Sequence, residues 1–217
     1  MKVTSMACIQ GAWIPEIQPK SILDIGAGTG VLSLMCAQRF GVAIDAVEIE
    51  EDAFQQLREN IAQSPWPEVI RPIHADICSY GVSSGKSYDF IITNPPFYKD
   101  QLKSPFDKVN QARHDTSLKL NDLAGLLPNL IHENGIISIL LPPSGRELLH
   151  NLALAHGLYI YSELHISEQM DRPVKAIIFL LRKSEGQQSI HRFHIRQESG
   201  DYSEQYISLM RPYYLHL

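Results

Sequence analysis

Cysteine is scarce in this chain: Cys8, Cys36 and Cys78 are the only three in 217 residues, an odd number and widely spread. That pattern excludes a disulfide framework and a cysteine metal knuckle, and leaves the thiols as small buried hydrophobes. No apolar run approaches the length that spans a bilayer, and residues 1–20 lack the layout of a secretion signal. The expected compartment is therefore cytoplasmic. Neither sign of charge dominates, the formal net charge being −5, so no global field draws in a polyanion. Internal repeats and low-complexity tracts are also absent. What is present is ordinary globular composition, 44% hydrophobic and 20% charged, sufficient for one domain over residues 1–217 with a sheet covered on both faces.

Read in order, residues 4–13 form a short helix capped by Thr4 or Ser5, after which Pro15 and Pro19 break the chain. Strands are expected at 21–25, 42–49, 69–73 and 88–93, with helices over 31–40 and 51–63 and a Gly/Ser-rich turn at 80–87. Residues 99–118 are polar and without period, the composition of a functional loop. A helix over 120–133 interrupted by Pro128 follows, then a strand at 135–141 and a helix over 144–156. Strands near 158–166 and 174–183, a basic strand near 190–196 and a helix near 201–210 complete the chain. Strand–helix alternation ending in a strand pair implies an α/β fold, a doubly wound, mostly parallel seven-stranded sheet with an antiparallel C-terminal edge.

The stretch that organises the chain is Asn94-Pro95-Pro96-Phe97, directly after the apolar run Tyr88–Thr93. In an open α/β sheet the carboxyl ends of the strands are where ligands sit. A residue before proline is pushed to extended geometry, which holds the Asn94 amide out from the turn, and Pro95 offers a carbonyl with no N–H of its own. An amide oxygen and a carbonyl side by side accept both hydrogens of an exocyclic amine, and Phe97 supplies a stacking surface for a flat ring.

Asp24-Ile25-Gly26-Ala27-Gly28-Thr29-Gly30 ends the first strand and opens the first long helix. Alternate glycines let backbone approach a ligand beside helix N–H groups. The spacing is G-x-G-x-G rather than the dinucleotide G-x-G-x-x-G, which counts against a nicotinamide enzyme. A glycine turn without ligand is the competing role. Glu48, at the end of the second strand, can accept from both ribose hydroxyls, or stand as a surface charge at a strand end. Glu50 is the weaker candidate, as it falls at the next helix. Asp76, at the end of the third strand, can accept from an adenine amine or cap a helix. In the second half, Arg172, Lys175, Arg182, Lys183, Arg192 and Arg196 stand against Glu185 alone over residues 172–196, either a nucleic-acid surface or a protected sheet edge. The remaining histidines share no ligand spacing, so no metal is expected.

The loop Asp24–Gly30 resembles the S-adenosyl-L-methionine loop of class I methyltransferases. With the strand-end acids and Asn-Pro-Pro-Phe in order along strands one to four, the chain is similar to amino methyltransferases of the N6-adenine, N5-glutamine and guanine-N2 types. Met1-Lys2-Val3, Gly11-Ala12-Trp13, Gln63-Ser64-Pro65-Trp66, Ala112-Arg113-His114, Tyr206, Leu209 and Tyr213-Tyr214-Leu215 narrow the resemblance to the bacterial valine-tRNA adenine-37 N6-methyltransferase family, over essentially the whole chain. Members usually open with a phenylalanine-rich segment ahead of Met-Lys-Val, and carry an acid where Met6 stands here. The resemblance implies that Asn94 and the Pro95 carbonyl orient the target amine while Phe97 stacks on the base. Pro96 and Tyr98 would line the base site, and Arg113, His114, Arg192 and Arg196 would contact tRNA. The cofactor would lie against Asp24, Gly26, Gly28, Gly30, Glu48, Asp76 and Asn94, and the protein would act as a monomer. A protein amide or guanine substrate, and a cofactor-binding module without catalysis, are the alternatives.

Overall fold

The structure, a computed structural model, describes residues 4–95 and 120–215. Eight strands form one sheet in the order β3-β2-β1-β4-β5-β7-β6-β8. They are β1 (Ser21–Ile25), β2 (Ala43–Glu48), β3 (Ile70–His74), β4 (Tyr88–Thr93), β5 (Ile131–Leu141), β6 (Tyr159–Ser167), β7 (Val174–Arg182) and β8 (Ser189–His194). Only β7 runs antiparallel to its neighbours, β5 and β6, while β8 runs parallel to β6. The sheet is thus one strand wider than the seven expected, because the basic segment pairs in regular register, Glu163 opposite Ile190 and His165 opposite Arg192.

Helices cover both faces. On one lie α1 (Ser5–Ala12), α2 (Val31–Phe40), α3 (Glu51–Gln63) and, near the end of the chain, α7 (Glu204–Met210). The other carries α4 (Ile77–Ser84), α5 (Leu120–Leu130) and α6 (Arg146–Ala155). Alternate residues of the central strands serve the two layers: Leu23, Ile25 and Ile91 pack with Leu123, Leu127 and Leu149, whereas Ile22, Phe90 and Ile92 pack with Leu32, Cys36 and Leu57. A third cluster seats α1 and α7 over β5 to β8 through Ile9, Ile178, Ile166 and Phe193.

Several local expectations are corrected. Residues 80–84 belong to α4 rather than to a turn: Asp76 caps that helix, and at Gly81 it packs on Leu126 and Leu130 of α5. Helix α5 continues through Pro128, two residues from its end, and stops at Leu130. Strand β5 then starts at Ile131 instead of Gly135, with a register irregularity against β4 between Tyr88 and Phe90. The C-terminal tail is tied to α2, Gln38 Nε2 donating to Pro212 O at 2.7 Å.

Candidate active site

All the site residues that the sequence places at strand ends and that are described meet at one edge of the sheet, the carboxyl ends of β1 to β4. The loop after β1 turns through Gly26, Gly28 and Gly30 at φ of 69°, 57° and 87°. At Gly30 glycine is required twice over, since a Cβ would be strained at that φ and would lie 2.6 Å from Leu57 Cδ1. Gly30 precedes α2 without a side-chain cap of its own, and the Asp24 carboxyl lies against Ser33 in the first turn of that helix.

Glu48 is buried and grips this loop. One carboxylate oxygen accepts from Gly28 N–H at 2.7 Å, and the other from Ile49 and Glu50 N–H at 2.9 and 2.8 Å. Of the roughly four acceptor directions of a carboxylate, three are used. One further hydroxyl can be taken directly, and a second only by displacing Gly28 N–H. Glu50 caps α3 by accepting from Ala53 N–H. Asp76 caps α4 through Oδ1, 3.0 Å from Cys78 N, while its side chain stays exposed at the same edge. Capping and ligand contact are compatible for Asp76, because the cap uses one oxygen.

Asp24 lies beneath the loop, fully buried, accepting from Ser33 Oγ at 2.6 Å through Oδ2. Its Oδ1 has no partner. Burial pushes this carboxyl up to about 7, partly opposed by the Ser33 bonds and assisted by the charge of Glu48. A buried carboxyl oxygen without a partner among the described residues, below the glycine loop and beside Glu48, fits a site for a ligand carrying both a cationic group and a ribose.

Asn94 is half-buried and makes no hydrogen bond to another described residue, and Pro95 is buried. Their strand is fixed from below by Thr93, whose Oγ1 donates to Ile25 O at 2.9 Å, so the start of the glycine loop and the residue before Asn94 are tied directly. Pro96, Phe97, Tyr98, Arg113 and His114 lie outside the described residues.

The basic segment is less basic in place than in sequence. Lys175 and Arg196 both pair with Glu168 at 2.9 and 3.2 Å, Lys183 reaches Glu133 at 3.7 Å, and Arg182 lies over the Tyr161 ring. Arg196 also donates to Gly200 O and stacks on Tyr202, which commits it to holding the turn before α7. Arg172 and Arg192 are exposed and have no side-chain partner among the described residues.

Two residues of this edge escaped the sequence reading. Ile49, 47% exposed directly after Glu48, presents an apolar surface where a flat ring beside a ribose would lie. Gln10 is fully buried against the ends of β4 and β5. Among the described residues no cluster of three or more His, Cys, Asp or Glu side chains could hold a metal, and no helix is long and apolar enough to cross a membrane.

Comparison with known proteins agrees with this geometry. The family model for the methyltransferase small domain matches residues 12–113. A crystal structure described as a predicted O-methyltransferase from Agrobacterium tumefaciens shares the fold, with a TM-score of 0.73 over 96% of both chains at 13% identity. The tRNA1(Val) (adenine(37)-N6)-methyltransferase of Escherichia coli O157:H7 is 36% identical over 99% of this chain and 89% of its own. That of Phocaeicola vulgatus is 36% identical over 100% of this chain and 92% of its own. With such identity along essentially the whole of both chains, the protein belongs to the tRNA1(Val) (adenine(37)-N6)-methyltransferase family.

Proposed function

We propose that this single-domain protein transfers a methyl group from S-adenosyl-L-methionine to the exocyclic N6 amine of adenosine 37 in valine tRNA, acting as a cytoplasmic monomer. One observation carries the reading: Asn94 and Pro95 stand at the end of β4, beside the β1 glycine loop, in a chain 36% identical along its length to relatives bearing that name. When bound, the cofactor supplies a methyl group already activated on a sulfonium. The chain then has to bind and orient. Gly26, Gly28, Gly30 and Glu48 form the cup for amino-acid and ribose groups, Ile49 lies against the adenine ring, and Asp76 accepts from its amine. Asn94 Oδ1 and the Pro95 carbonyl accept the two hydrogens of the target amine, which turns its lone pair toward the methyl group, and Phe97 stacks on the flipped base. Once the bond has formed, the nitrogen is cationic and its proton, already directed at these two oxygens, leaves to solvent.

The test is transfer of labelled methyl from S-adenosyl-L-methionine to unmodified tRNA, followed by nucleoside analysis. Label should appear in N6-methyladenosine. Asn94→Ala should lower turnover at least about 100-fold with cofactor affinity nearly unchanged, and Glu48→Ala should weaken cofactor binding instead. Label in a guanine, or only in protein, would overturn the substrate. Full turnover by Asn94→Ala would overturn the amine-orienting role.

A further inference from the structure

Gln10 sits in the middle of α1, a helix with no polar duty of its own, and is 0% exposed. Its Nε2 donates to Thr93 O at 3.0 Å, to Ser138 O at 3.3 Å and to Ser138 Oγ at 3.3 Å. Two carbonyl acceptors fix which end of the amide faces the sheet. The other end, Oε1, is buried without a partner. An apolar side chain of similar volume would fill this space but would take away the donor that Thr93 O and Ser138 O share, so what the glutamine adds beyond packing is the hold on those carbonyls.

What the amide holds is the link to the reacting residue. Thr93 O belongs to the peptide unit that joins Thr93 to Asn94, and that unit is planar. Fixing its carbonyl fixes the direction in which the Asn94 Cα leaves the strand. The Thr93 side chain is meanwhile anchored to Ile25 O, one residue before the glycine loop, and Ser138 lies on β5, where Ile92 is its register partner. One side chain thereby ties β4 to β5 just where Thr93 already ties β4 to β1.

We infer that Gln10 is a positioning residue for methyl transfer: its buried amide sets the orientation of Asn94 and Pro95 relative to the cofactor loop. The inference rests on the function proposed above and adds a residue to the same site. It places Gln10 in contact with neither cofactor nor base, so its loss should act on the rate of the chemical step and not on the binding of either substrate.

The experiment compares the full-length parent with Gln10→Met and Gln10→Glu, measuring kcat at saturating tRNA and S-adenosyl-L-methionine, both KM values, cofactor Kd by calorimetry, and the thermal midpoint. Gln10→Met should lower kcat about 10- to 100-fold, the range expected for small misplacements of a reacting group, with Kd and both KM values within about twofold of the parent at a temperature where the variant is folded. Gln10→Glu retains the volume. Its neutral acid can still donate one hydrogen to Thr93 O, whereas its carboxylate can only repel that carbonyl, so its kcat relative to the parent should rise as pH is lowered. A parent-like kcat in Gln10→Met would overturn the inference, as would a fall in kcat matched by an equal weakening of cofactor binding. A pH-independent deficit in Gln10→Glu would do so even if Gln10→Met failed to fold. A parent that methylates no tRNA would instead overturn the functional reading, and this inference with it.

Discussion

At Asp24 burial and charge pull in opposite directions. Removal from water raises its carboxyl to about 7, so the fold keeps a proton that the unfolded chain, with its ordinary value of 3.8, has released. The sign follows: the group's contribution to stability is complete below about pH 4 and is lost as pH rises through about 7, at up to roughly 1.4 kcal/mol per pH unit. Urea unfolding of the parent should therefore show stability falling over that window relative to Asp24→Asn, which has nothing to titrate there. Parallel curves would mean that Asp24 is ionised throughout. The presence of an acid at this place was readable in the sequence, because an acid two residues before a glycine loop is a local pattern. Its protonation was not, since that depends on α2 and Ser33 closing over it. Gln10 was hidden for the same reason at longer range, its partners being 83 and 128 residues away. Ile49 looked like one more strand residue, and only its exposure at the site edge distinguishes it.

Between elements, one dense polar tie outside the site is made by Glu163 of β6. This fully buried carboxylate receives both arms of Arg146 at the start of α6, His150 one turn later, His165 on its own strand and Gln188 in the link to β8. Burial alone would raise its pKa, but the bonds from Arg146, His165 and His150 outweigh it and hold the group at about 2. Its contribution is present above about pH 4.5 and is lost as pH falls toward 2. Glu163→Gln should cost about 3 kcal/mol in urea unfolding at pH 7 and spare turnover, because none of its four partner residues belongs to β1 to β4 or to the loops that follow them. A loss below about 0.5 kcal/mol would make the cluster ornamental. Strand β6 itself was legible from its run of β-branched and aromatic residues, and so was β7. Helix α4 was not: Tyr80 to Ser84 carry turn composition, and only the Asp76 cap and the contact with α5 make them helical. Propensity lost to packing there, as it did at Pro128.

Across the whole molecule, charge is placed rather than accumulated. Residues 1–98, which include β1 to β4, contain 11 acidic and 6 basic side chains, whereas residues 99–217 contain 13 of each. Inside the fold Lys175, Lys183 and Arg196 are ion-paired and Arg182 lies on the Tyr161 ring, leaving Arg172 and Arg192 as the cations of the basic run without a side-chain partner among the described residues. Arg192 lies on β8, four strands from β4, which at about 4.8 Å per strand is about 19 Å from the strand of Asn94. That reach suits the phosphates of a stem whose loop occupies the site. Replacing Arg172 and Arg192 together by alanine should weaken tRNA binding and reduce the slope of log K against log salt by up to about 2, with kcat at saturation unchanged. An unaltered slope would locate the RNA surface elsewhere. The grip of Glu48 on Gly28, Ile49 and Glu50 has a kinetic consequence. A loop that must order around its ligand delays association and lets escape begin with local melting. Here one amide of the glycine loop, that of Gly28, and the two amides that follow β2 are already held by the Glu48 side chain, so this part of the cup is formed by the folded chain itself. Under the function proposed above, the methyl donor meets a loop already tied to β2 through Glu48, so ordering of Gly28 need not be a step of its binding.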